Sequence, residues 1–211
     1  MRARAIYALC LGLVLLAPLA SADVPTQPPA PLTLTPGGIP LVSWGGVPLL
    51  TEADLEVADL FASSQIGVWH VHDDHGRKLL EGTRSDKRLG AITSRVLLLN
   101  DRSLLCTWTA SLSEDALVRP AQFRVVLDLI GLDGAQYFFR RSGAPDLAGT
   151  LHTTPLAATL PQWTSCLGVS FELPDAVVEL SATSDVGELR AGPLRSEGRW
   201  ALALVADYPQ G

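Results

Sequence analysis

The chain has 211 residues, 47% hydrophobic and 18% charged, a balance that excludes a disordered protein and suffices for one sizeable domain with its own core. Its formal net charge of -6, with no cluster of Lys or Arg, sets it against nucleic acid and anionic membrane surfaces. Neutral partners such as sugars remain open, and so do cations.

The N-terminus reads as an export signal. Arg2 and Arg4 form a basic start, Ala5 to Leu16 is an apolar run, and Ala20-Ser21-Ala22 is a small-x-small cleavage site ahead of Asp23. The run is too short for a membrane span. The sequence therefore predicts residues 1–22 as a signal peptide and a secreted or periplasmic mature chain of about 189 residues. Residues 23–33 (DVPTQPPAPLT) read as a proline-rich linker or arm, and residues 34–211 as a single domain.

Past the arm, short apolar runs alternate with Gly, Pro, Asp and Asn at spacings typical of antiparallel β-structure. Leu32 to Leu34, Ile39 to Trp44 and Val47 to Leu50 are predicted strands, with turns at Pro36-Gly37-Gly38 and Gly45-Gly46. Thr51 to Phe61 is the one segment with a helical alternative: Thr51 can cap it and Leu55 and Leu60 share a face, although ADLEVADLF also alternates in part. Ile66 to Asp73 follows, then Thr93 to Leu99 and Leu104 to Ser111 about the turn Asn100-Asp101-Arg102. Phe123 to Ile130 and Gln136 to Arg141 flank Leu132-Asp133-Gly134, a hairpin signal.

Period-two alternation sets Phe123, Val125, Leu127 and Leu129 on one face, and likewise Leu167, Val169, Phe171 and Leu173. Trp200 to Ala206 is apolar on both faces and reads as a central, doubly buried strand. The expected fold is all-β: an antiparallel β-sandwich, large or part of a supersandwich, with at most one or two short helices.

Three of the four histidines lie in Trp69-His70-Val71-His72-Asp73-Asp74-His75-Gly76. The pattern His-x-His-x-Asp-His resembles the metal-binding string of metallo-β-lactamase-fold hydrolases. That resemblance implies His70 and His72 on one Zn, Asp74 and His75 on a second, and an ionised metal-bound water as nucleophile. Downstream, only His152 remains to supply a further imidazole. The same residues also read as a hairpin, with Ile66 to His72 a strand, Asp73 to Gly76 its polar turn and Arg77 to Leu80 the return.

Cys106 and Cys166 remain after cleavage, either as a disulfide suited to an oxidising compartment or as two buried thiols. A bridge closing roughly 60 residues stabilises by about 4 kcal/mol on the chain-entropy account. Cys166 alternates away from Leu167 and Val169, which favours the thiols. Among five tryptophans, Trp108 and Trp200 sit in apolar strands, while Trp44 beside Gly45-Gly46 and Trp163 after Leu160-Pro161-Gln162 are the expected exposed pair. Exposed indoles in a secreted β module stack on sugar rings. The carboxylates Asp54, Glu56 and Asp59 read as a solvated face, and no serine-nucleophile or phosphate-loop motif occurs.

The stretches LTLTPGGIPLVSWGGVPLL, LLNDRSLLCTWTASL, VVLDLIGLDGAQYFF and GVSFELP, in this order, resemble the start of the galactose-mutarotase-like β-sandwich of secreted carbohydrate-acting proteins. The resemblance implies carbohydrate recognition or a structural role beside a catalytic domain, and carries over no catalytic residue. Three functions stay open: a non-catalytic carbohydrate-binding or structural module, a metal-dependent hydrolase using His70 and His72, and a cell-envelope structural or assembly protein.

Overall fold

A computed structural model describes residues 11–16, 31–35, 40–57, 68–86, 90–100, 102–113, 121–154, 156–174, 176–182, 189–196 and 198–207. Among these the chain forms two antiparallel sheets packed face to face, with one 3-10 turn at Ile130–Leu132. Alternating apolar residues bury one side of each sheet, so two layers close over a shared core. The all-β sandwich read from the sequence is the fold.

In chain order the strands are β1 Leu11–Leu16, β2 Leu32–Leu34, β3 Val42–Trp44, β4 Val47–Val57, β5 Trp69–Asp74, β6 Arg77–Asp86, β7 Gly90–Asn100 and β8 Ser103–Leu112. They continue as β9 Ala121–Asp128, β10 Gln136–Arg140, β11 Leu147–Thr150, β12 Thr164–Cys166, β13 Gly168–Glu172, β14 Val177–Ala182, β15 Leu189–Ser196 and β16 Arg199–Asp207. The nine-stranded sheet has the order β11-β10-β13-β14-β1-β8-β7-β6-β5, and the seven-stranded sheet β12-β15-β16-β9-β4-β3-β2.

One core joins the layers. Val125 and Leu127 of β9 meet Ile92, Val96, Leu104 and Trp108 of the other sheet in a single cluster. The Trp108 and Phe123 rings lie 5.1 Å apart, tilted by 44°, across the interface. Phe123, Val125, Leu127 and Leu129 are all buried, as their alternation predicts. Ala201 to Val205 of β16 are buried on both faces, because β16 lies inside its sheet between β15 and β9.

Several local readings are corrected. The segment from Thr51 continues β4 as strand to Val57, where Ala53, Leu55 and Val57 alternate against Val125, Phe123 and Ala121 of β9. Ala58 to Phe61 fall outside the described residues, as do Pro36 to Ile39, Ile66 and Gly67. Leu132-Asp133-Gly134 does not close a hairpin, because β9 belongs to one sheet and β10 to the other. The turn is instead held from Leu151 to Thr153. Gly134 N–H donates to the Leu151 carbonyl, and the Asp133 carboxylate accepts from Thr153 N–H and Oγ1 at 2.6 and 3.0 Å. Those bonds hold the Asp133 carboxyl below its ordinary range.

A second sheet change falls between Cys166 of β12 and Gly168 of β13, with Leu167 alone as the link. Crossing layers resets the alternation. Val169 and Phe171 are buried as expected, but Leu167 is 58% exposed, and Cys166, read as facing away from them, is buried.

Cys106 and Cys166 are free thiols. Of the two alternatives the structure holds the buried thiols, not the disulfide: Cys106 on β8 inside the nine-stranded sheet and Cys166 on the edge strand of the seven-stranded one. Burial pushes the Cys106 thiol up to about 12 and Cys166 to about 11. Leu11–Leu16, inside the predicted signal, forms β1, and the rest of residues 1–30 lies outside the described residues. No helix among the described residues is long and apolar enough to cross a membrane.

Candidate functional site

Trp163 lies in the bend that leads into β12, at the edge of the seven-stranded sheet. β12 pairs with β15, Thr164 opposite Ala191. Ala191 faces the core, so its neighbour Gly192 turns to the outer side of the sheet. The indole closes over that glycine: a Cβ built on Gly192 would stand 2.6 Å from Trp163 Cδ2 and 2.8 Å from Cγ. A side chain there would evict the ring. Packed on bare backbone, Trp163 still leaves 50% of its surface open.

The surroundings of the ring are polar where it meets water. Gln162 and Ser165 are exposed on either side, and Thr164 Oγ1 donates to the Gln162 carbonyl at 2.6 Å, fixing the bend. On the same outer face, Val126, Ala201 and Ala203 form a small apolar cluster with Leu194, separate from the main core. The arrangement offers an anchored aromatic plate at a sheet edge, flanked by hydrogen-bonding side chains.

Trp44, expected beside it, is elsewhere. It ends β3, next to the opposite edge of the sheet, half-buried and packed on the main core. The two indoles do not form one surface. Trp108 is buried, as expected; Trp200 is half-buried and carries the Arg195 guanidinium 5.9 Å from its ring centre.

The histidine string forms the β5–β6 hairpin at the edge of the nine-stranded sheet. His75 and Gly76 are its two-residue turn, both with positive φ, 52° and 80°, as the right-handed twist of the flanking strands requires. Asp73 Oδ1 accepts from Gly76 N–H at 2.9 Å and Lys78 lies 3.4 Å from Oδ2, which together hold the Asp73 carboxyl low. His70 and His72 share a face with ring centres 6.3 Å apart, both exposed. His75 Nε2 lies 3.8 Å from Asp74 Oδ1. Among the described residues no three His, Cys, Asp or Glu side chains come together to hold a metal, whereas a closed zinc site needs three or four ligands. His152 stays in its own loop, its backbone N–H donating to Thr159 Oγ1 at 2.6 Å.

One polar cluster was missed in the sequence. Asp54, read as part of a solvated face, is 1% exposed and accepts from Arg84 Nη2 at 2.8 Å, Ser94 Oγ at 2.9 Å and Leu55 N–H at 2.7 Å, all on Oδ1. Asp54 belongs to the seven-stranded sheet, Arg84 and Ser94 to the nine-stranded one. The group therefore bolts the layers together through Oδ1, while Asp54 Oδ2 is buried without a hydrogen-bond partner among the described residues. Its one sequence signal is a carboxylate set among Ala53, Leu55 and Val57.

Comparison with protein-family models, curated proteins and solved structures finds no match for the chain.

Proposed function

We propose that this chain is an exported, non-catalytic β-sandwich module that binds carbohydrate at the edge formed by Trp163. The observation that carries the reading is the half-open indole held over Gly192, an apolar plate of the kind that meets the flat face of a sugar ring. Gln162 supplies a hydrogen-bonding group for ring hydroxyls beside it. The acidic net charge fits a neutral glycan better than an anionic polymer.

The test is a glycan array read with the wild-type chain, Trp163→Ala and Gly192→Ala. Selective binding lost in both variants supports the reading, since one removes the plate and the other displaces it. Uniform background across sugars for the wild type ends it.

A further inference from the structure

The six residues of β1 stand in the interior of the nine-stranded sheet, between β8 and β14. They also belong to the apolar run that the export reading removes at Ala22. β1 is antiparallel to both neighbours: Leu11 to Leu16 run against Ala182 to Val177, and Leu11 to Val14 against Cys106 to Ser103. β8 and β14 are therefore parallel to each other across the slot, two strand spacings or about 10 Å apart. The positions that flank it on the core side, Leu104, Cys106, Val178 and Leu180, are buried.

We infer that in the chain cleaved after Ala22 the slot between β8 and β14 accepts an extended apolar segment of a partner protein, which enters antiparallel to both strands as Leu11–Leu16 does. The inference rests on the export reading. Removing β1 uncovers two rows of backbone N–H and C=O groups in the middle of a sheet, where unpaired groups are costly and template a new strand. Direct closure would require β8 and β14 to pair in parallel, whereas every strand pairing among the described residues is antiparallel. It would also carry β14, β13, β10 and β11 across by one strand spacing.

The segment next to the cleavage site cannot take the place. Pro25, Pro28, Pro29 and Pro31 have no N–H to give a ladder, and proline is excluded from central strands. The register defines the occupant: five or six residues, without proline, uncharged, and apolar at the positions opposite Leu104, Cys106, Val178 and Leu180. This is β-strand addition, with main-chain hydrogen bonds giving affinity and alternate side chains giving selectivity.

The experiment begins with mass spectrometry of the exported protein and continues with amide exchange on it. The probe is a synthetic peptide carrying Leu11–Leu16 between charged solubilising ends. The expected protein starts at Asp23, and the peptide slows exchange at Ser103 to Cys106 and Val177 to Ala182 by about tenfold or more. The same peptide with Val14→Pro leaves exchange unchanged. An exported chain that retains Leu11–Leu16 fills its own slot and overturns this inference together with the reading of cleavage at Ala22. A chain starting at Asp23 whose β8 and β14 amides are equally protected with and without the peptide overturns the inference alone.

Discussion

Arg84 Nη2 stands 2.8 Å from Asp54 Oδ1, and this contact ties β6 of one sheet to β4 of the other through the core. Arg84 also donates to the Leu55 carbonyl. Both side chains are buried, so above about pH 7, where the Asp54 carboxyl is ionised, removing either partner strands a charge in a low-dielectric interior. Arg84→Met is expected to cost about 3–5 kcal/mol, whereas Asp54→Leu combined with Arg84→Met stays near the wild type. Urea midpoints of the two singles and the double at about pH 8 decide this; a double as unstable as the worse single refutes the pairing.

The same carboxylate gives a pH dependence of defined sign. Desolvation raises Asp54 from 3.8 to about 7 despite the opposing pull of Arg84 and the bonds from Leu55 and Ser94, and Glu52 pushes the same way. The native state therefore holds a proton that the unfolded chain releases near pH 4. Its contribution is complete below about pH 4, is lost as pH rises to about 7, and is constant above that. At about 1.4 kcal/mol per pH unit the loss reaches up to about 4 kcal/mol. Stability of wild type minus Asp54→Asn, followed by denaturant titration from pH 4 to 8, should fall over that window and then level off. A difference that is flat, or that rises with pH, contradicts it.

The two thiols should be inert until the protein unfolds. Burial disfavours the thiolate in both, and the thiolate is the reactive form. Iodoacetamide is expected to leave Cys106 and Cys166 unmodified in the native protein and to alkylate both in urea without prior reduction. Modification in urea that appears only after a reductant would reveal a bridge.

In the β5–β6 turn, Gly76 has φ of 80° and open space where a Cβ would go, so Gly76→Ala meets no clash and costs only the left-handed conformation, about 1–2 kcal/mol. His75→Asn, a residue that tolerates φ near 52°, is expected to be near neutral. Thermal unfolding of the two variants separates a turn role for this string from a ligand role, which would instead appear as zinc-dependent stability lost in His70→Ala and His72→Ala.

Alternation made the buried faces legible: the inward set from Phe123 to Leu129 and the doubly buried β16 are where side-chain period alone puts them. Loops were less legible, because the turn chemistry of Asp133-Gly134, and the lone Leu167 link, say nothing about which layer the next strand joins. The Asp54 cluster escaped notice because its partner Arg84 lies thirty residues away, beyond any local pattern. Trp163 was singled out by its polar, proline-containing neighbourhood, but its seat on Gly192 depends on the β12–β15 pairing, which no local spacing reveals.

β16 is the last strand among the described residues and yet lies well inside its layer, hydrogen-bonded to β15 on one flank and β9 on the other. Until Arg199–Asp207 arrives, that layer exists as two halves with nothing between them. That layer therefore stays open until Arg199–Asp207 has been made, and pairings this distant along the chain make its closure slow, so deleting Arg199–Asp207 leaves it in two pieces.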